Sequence, residues 1–155
     1  MIGMAAGRGD IRRNGSQLTA TGAHLGGLLA KLHARGSALN NRALRDSGLR
    51  ERTFSVLTLA CSGLEPTQRE LAEFLGLDPS QIVSLVDDLE KRGLVDRITG
   101  KQDRRAKIIA STTEGRRIHS KARAALTACE QEQLASLNDE EAAQLKALLR
   151  KALWG

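Results

Sequence analysis

The sequence predicts a mainly α-helical chain with one small β-hairpin, arranged as a central lobe between two flanking helical regions. Three observations carry that expectation. Two helix starts near the middle have full capping signals, TQRE at 67–70 and DPSQ at 78–81. Directly after the second helix, LVDRI (94–98) and AKIIAS (106–111) have strand character and flank a turn at Gly100. On either side, Leu and Ala recur at helical spacing over stretches whose apolar faces are too extensive for one small lobe to cover.

At 155 residues the chain suits one domain, or one domain with helical extensions. Only Phe54, Phe74 and Trp154 are aromatic, so the core must be built mostly from Leu, Ala, Ile and Val. No apolar run approaches the about 18–20 residues of a membrane span. Arg8, Arg12 and Arg13 are not followed by an apolar segment of the secretory kind. A soluble cytoplasmic protein without a membrane partner is the expectation.

Residues 1–16, MIGMAAGRGDIRRNGS, lack periodicity and are expected to form a disordered arm. From about Gln17 to Arg45, Leu18, Leu25, Leu28, Leu29, Leu32 and Leu39 keep roughly to one helical face. Gly26, Gly27 and Gly36 imply either a bend or a close backbone there. DSG (46–48) breaks this helix, and a shorter one from about Arg50 to Cys61 points Phe54 and Leu57 inward. Thr67 and Glu70 form a capping box for a helix over 67–75 that ends at Gly76. Asp78, Pro79 and Gln81 open the next helix, 79–92, with Ile82, Leu85, Val86 and Leu89 inward and Gly93 at its end. Helix, tight turn and helix followed by a hairpin make a winged helix-turn-helix.

A helix from about Arg116 to Leu134 follows TTEG (112–115). Asn138 then caps a last one, with Ala142, Leu145, Leu148 and Leu149 inward. The predicted organisation is a helical dimerisation region (17–46 and 116–155) around a winged lobe (47–115). The flanking helices are expected to pair with a second copy in a two-fold homodimer, with Trp154 either part of that contact or an ordinary exposed chain end.

The net charge is +6, which suits a polyanion partner. Residues 67–115 nevertheless carry eight cations against nine acids. Their positive charge is gathered in RITGKQDRRAK (97–107), the arms and tip of the hairpin.

The run TQRELAEFLGLDPSQIVSLVDDLEKRGLVDR (67–97), with DRRAK (103–107) and STTEG (111–115), resembles the MarR family of bacterial transcription regulators. With the flanking helices, the likeness covers about residues 17–153. It implies a dimeric regulator, in the main a repressor, that binds a pseudo-palindromic double-stranded DNA operator. It also implies release by a small phenolic or otherwise aromatic effector.

On the DNA side, Ser80, Gln81 and Ser84 lie where a recognition helix reaches base edges, and Gln81 could pair with adenine unless capping consumes it. Thr67, Gln68 and Arg69 begin the preceding helix, where backbone N–H groups favour a phosphate. Plain capping and solvated helix surface are the competing readings. Many relatives carry Arg at position 84, which is Ser here, and position 88 is Asp. From Asp78 to Glu90 there are four acids and no cation, so the wing must supply the attraction to phosphate. Arg104 is expected in a minor groove, with Lys101 and Lys107 at phosphates and Lys91 as a weaker candidate. The resemblance implies that Asp103 shapes the tip and that Arg105 supports it or meets a phosphate. Asp87 is expected to pair with one of these two arginines.

On the effector side, the resemblance points to Leu28, Leu32, Phe54 and Leu57, residues that serve equally well as core, and to Arg97, which could equally be a strand cation. Cys61 and Cys129 have no metal spacing and read as core residues. With no Tyr and no cysteine near the first helix, thiol sensing of the peroxide-responsive type is not expected. His24, His33 and His119 lie on separate helical stretches without a nucleophile partner, so no catalytic activity, metal or cofactor is expected. The rival reading is a winged helix used for protein–protein contact without sequence-specific DNA binding, and the acidic recognition helix is its best support.

Overall fold

Local signals in the chain produce nearly all the predicted elements. The computed structural model describes residues 24–100 and 106–155, and the chain divides into two units, 1–36 and 37–155. The elements are α1 (Leu25–Ala43), a 3-10 turn (Arg45–Ser47), α2 (Glu51–Ala60), α3 (Gln68–Leu75), α4 (Pro79–Lys91), β1 (Val95–Thr99), β2 (Lys107–Ser111), α5 (Thr113–Gln133) and α6 (Asp139–Trp154). The expected arm over 1–16 and the helical start over 17–23 lie outside the described residues.

Helix α1 is continuous through its three glycines. A Cβ added at Gly26 would meet nothing closer than the His24 ring at 3.5 Å, so no close backbone accounts for that glycine. Leu25, Leu28 and Leu29 are exposed.

The second unit holds the core. Leu44, Val56, Leu57, Leu71, Ile82, Val86, Leu89, Val95 and Ile109 are wholly buried, with Ala122 of α5 beside them. Each such Leu, Ile or Val is worth about 1.5–3 kcal/mol of burial. In α3 the capping box is complete: Thr67 Oγ1 accepts from Glu70 N at 3.2 Å, and Thr67 N donates to Glu70 Oε2 at 2.8 Å. The Thr67 backbone N–H and, next, its hydroxyl, which donates to Glu70 Oε2 at 2.8 Å, hold the Glu70 carboxyl below the usual range. Gly76 ends α3 in the left-handed region (φ 61°), which lets the chain reverse into α4.

Strands β1 and β2 pair antiparallel in the register Val95↔Ser111 to Thr99↔Lys107. The chain entering α3 joins the edge of β2. Ile109 N donates to Pro66 O at 2.8 Å, and Thr67 bridges Ile108. The hairpin is thereby tied to the helix-turn-helix.

Helix α5 begins at Thr113 instead of about Arg116, because its cap is tertiary. Thr112 Oγ1 accepts from Gly115 N at 2.9 Å and donates to Gly93 O at 2.7 Å. Gly115 sits so close to the α4–β1 corner that a Cβ there would lie 1.9 Å from Leu94 O. Asn138 caps α6 as predicted, with Glu141 at the reciprocal site. Leu148 was expected inward but is exposed, and α6 buries no residue.

Candidate nucleic-acid interface

Helix α4 presents two different sides. Ile82, Val86 and Leu89 point into the core, while Ser80, Gln81, Ser84, Asp87, Asp88 and Lys91 are exposed. The chemistry of that outer side depends on where its carboxylates go.

Arg97 on β1 determines this. One terminal nitrogen of its guanidinium pairs with Asp87 and the other with Glu90. Its Nε donates to Gln68 Oε1 at 2.8 Å, and its backbone N–H reaches Glu90 Oε1 at 3.2 Å. Partial burial opposes this charge, but the bonds to Asp87 and Glu90 outweigh it and raise the arginine's pKa. One side chain therefore joins the recognition helix, the wing and the start of α3.

Arg92 plays a second, similar part. It faces Asp88 at 3.6 Å and donates to Gly48 O at 2.9 Å and Ser47 O at 3.2 Å. Three of the four acids that make α4 look hostile to DNA thus have an arginine partner within the chain. Asp87 pairs with Arg97 at the base of the wing; Arg104 and Arg105, its expected partners at the tip, lie outside the described residues. Asp87 and Glu90 are one helical turn apart and face the strand, which is the spacing a single guanidinium can bridge.

The polar groups at the start of α4 are partly committed. Gln81 Oε1 accepts from Asp78 N at 3.3 Å. One lone pair of its carbonyl is therefore engaged in capping, and the other lone pair and both amide N–H donors remain. Ser84 Oγ donates to Ser80 O at 3.1 Å, so the hydroxyl turns its lone pairs outward. On α3, Gln68 gives its carbonyl to Arg97, and Arg69 reaches Glu73 at 2.9 Å from an almost fully exposed position. Lys107 donates to Thr99 Oγ1 at 3.3 Å across the hairpin, and Lys91 is exposed in the last turn of α4. Lys101, Asp103, Arg104 and Arg105 lie outside the described residues.

Of the residues suggested for an effector, Leu28 and Leu32 belong to the first unit, and Phe54 and Leu57 lie on α2 in the second. Leu57 is wholly buried, and Arg97 is ion-paired with Asp87 and Glu90. Sequence reasoning missed a joint between α2 and α5. His119 stacks on Phe54 with centroids 5.2 Å apart and rings 12° from parallel, and its Nε2 lies 3.1 Å from Thr58 Oγ1. Aromatic residues are so few that the 65-residue separation gave no pattern to read.

Burial pushes the Cys129 thiol up, as suits a core residue. No group of three or more His, Cys, Asp or Glu that could hold a metal occurs among the described residues. No helix among them is long and apolar enough to cross a membrane.

Comparison with known proteins places this geometry. The MarR family profile matches residues 47–106. The structure of CouR from Rhodococcus jostii RHA1, bound to p-coumaroyl-CoA, is 41% identical over 85% of this chain and 93% of that one, with a TM-score of 0.77. A mutant MarR from E. coli complexed with operator DNA is 26% identical over 88% and 98%, with a TM-score of 0.74. The Mycobacterium tuberculosis MarR-family protein RV2887, in complex with p-aminosalicylic acid, is 25% identical over 84% and 98%, with a TM-score of 0.71. With its winged helix-turn-helix and a 41% identical relative covered almost end to end, the chain belongs to the MarR family of transcription regulators.

Proposed function

We propose that this regulator represses transcription as a homodimer on a pseudo-palindromic operator, and that a small aromatic acid or its coenzyme A thioester releases it. One observation carries the DNA reading. Asp87, Asp88 and Glu90 are paired with Arg97 and Arg92, so the acids in the later turns of α4 repel phosphate less than their number suggests, and the outward Ser80, Gln81 and Ser84 are uncharged. This weakens the main support for the protein-contact rival. Ser80, Ser84 and the Gln81 amide would face base edges. The start of α3 (Thr67, Gln68, Arg69) and Lys91 would face phosphates, as would Lys107 together with Lys101, Arg104 and Arg105. Residues 17–46 and 116–155 would hold the two copies together, and 47–115 would carry the DNA contact.

The effector class is supported by the ligands of related proteins, p-coumaroyl-CoA for CouR and p-aminosalicylic acid for RV2887. No catalytic role is proposed: the one engaged histidine, His119, is bound up in a stack between helices.

Selection of binding sites from random DNA, followed by mobility shifts across salt, tests the reading. A palindromic consensus and a steep loss of affinity with salt are expected. Binding without sequence preference would favour the rival. Adding p-coumaroyl-CoA or salicylate to the complex then tests release, and a ligand that binds the free protein should also raise its melting point.

A further inference from the structure

One apolar side chain interrupts the outer side of α4. Val83 is 41% exposed, among the exposed Ser80, Gln81 and Ser84. A lone exposed valine is ordinary and by itself decides nothing. Its setting is informative. Val83 lies one turn after Pro79 and one turn before Asp87. It borders a shallow groove between α3 and α4 formed with Gln68, Arg69, Ala72, Glu73 and Pro79. Ala72, Pro79 and Val83 make the floor of this groove apolar, and Gln68, Arg69 and Glu73 form a polar rim.

Two further points narrow what fits there. The polar neighbours that could discriminate bases are partly used, since Gln81 has one carbonyl lone pair engaged by Asp78 N and Ser84 has given its proton to Ser80 O. The β-branched side chain of Val83 holds essentially one rotamer in a helix, so its methyl groups are placed in advance. In a major groove, one base presents an apolar group, the C5-methyl of thymine. We propose that Val83 is a specificity-determining residue that packs against the 5-methyl group of a thymine in each operator half-site. The inference rests on the DNA-binding reading above.

The test uses the full-length protein and a duplex selected by it from random DNA. Each thymine is replaced in turn by deoxyuridine, which removes the methyl group and leaves pairing intact. One thymine per half-site should then weaken binding about fourfold, the worth of one buried methyl at about 0.8 kcal/mol. Val83→Ala alters both half-sites of the homodimer at once, so it should weaken binding to the thymine duplex by about sixteenfold, fourfold per half-site, and lose the thymine–uracil difference at that position alone. Should Val83→Ala fail to fold, Val83→Ser, which also lacks both γ-methyl groups, is put through the same comparison.

Equal binding of every uracil duplex by the parent would overturn the inference, and so would a thymine preference that survives in the variant. Either result would point to the groove being covered by something other than DNA bases. A protein that selects no sequence at all would overturn the DNA-binding reading first, and this inference with it.

Discussion

Helices α4 and α6 are similar in length, 13 and 16 residues, and both start with strong local signals, yet they end in opposite circumstances. Helix α4 buries Ile82, Val86 and Leu89 completely. Helix α6 buries nothing, and Leu148, Leu153 and Trp154 stand exposed along it. Its recorded links to the rest of its unit include an ion pair, Lys146 with Glu130, and a ring stack of Trp154 on Phe74 at 6.2 Å. Capping and propensity therefore explain why a helix forms, but not what it packs on. The apolar face of α4 is satisfied within the chain. That of α6 is left largely open, as the proposed homodimer would require.

The sharpest way to break this comparison is to remove one leucine from each helix. Leu89→Ala creates a cavity in the core and should lower the unfolding free energy by about 2–5 kcal/mol in urea titrations. Leu148→Ala should leave the unfolding of dilute protein nearly unchanged and weaken self-association measured by sedimentation. An equal loss from both variants in dilute protein would mean that α6 is packed within its own chain, contrary to its exposure. A Leu148→Ala protein that associates like the parent would remove α6 from the proposed dimer contact.

A smaller effect separates the two kinds of charge at the interface. Arg97→Met keeps an unbranched apolar stem but leaves the Asp87 and Glu90 carboxylates without this partner. The side chain is 24% exposed, so the cost should be below that of a fully buried pair, about 1–3 kcal/mol. DNA affinity should fall as well, because a released Asp87 carboxylate would face phosphate. Arg69→Met removes a solvated pair with Glu73 and should leave thermal stability unchanged. If both variants melt like the parent, Arg97 is not the tie that holds helix and wing together.

These contrasts also show what could be read from the sequence. The boundaries of α3 and α4 were legible because Thr67, Glu70, Gly76 and Pro79 act over three or four residues, within the reach of a local pattern. The hairpin was legible from the strand character of the segments on either side of Gly100. The start of α5 was misplaced because Thr112 is fixed by Gly93 O across the fold, a contact invisible along the chain. For the same reason Arg97 appeared as a strand cation. Its carboxylates lie seven and ten residues back, and only the packing of β1 against α4 brings them together. Leu148 was expected inward on periodicity, which marks an apolar face without saying what covers it.

The mildest prediction concerns the α2–α5 joint, which differs from the Arg97 clamp in being held by rings instead of charges. Thr58 Oγ1 donates to Phe54 O at 2.8 Å and lies 3.1 Å from His119 Nε2. Burial, and secondarily the charge of Arg123, lowers the His119 pKa below 6.5. The unfolded chain then binds this proton more readily than the folded one, so the stabilising contribution is present above about pH 6.5 and is lost as the pH falls through the lower folded value. Melting temperature should decline across that acidic window. His119→Phe keeps a ring against Phe54 but cannot titrate, so its decline should be shallower than the parent's, while the two proteins should melt alike at pH 8. Parallel curves would mean that the stack tolerates a charged imidazole, and that the joint is held by packing of α5 on the core through Ala122 instead.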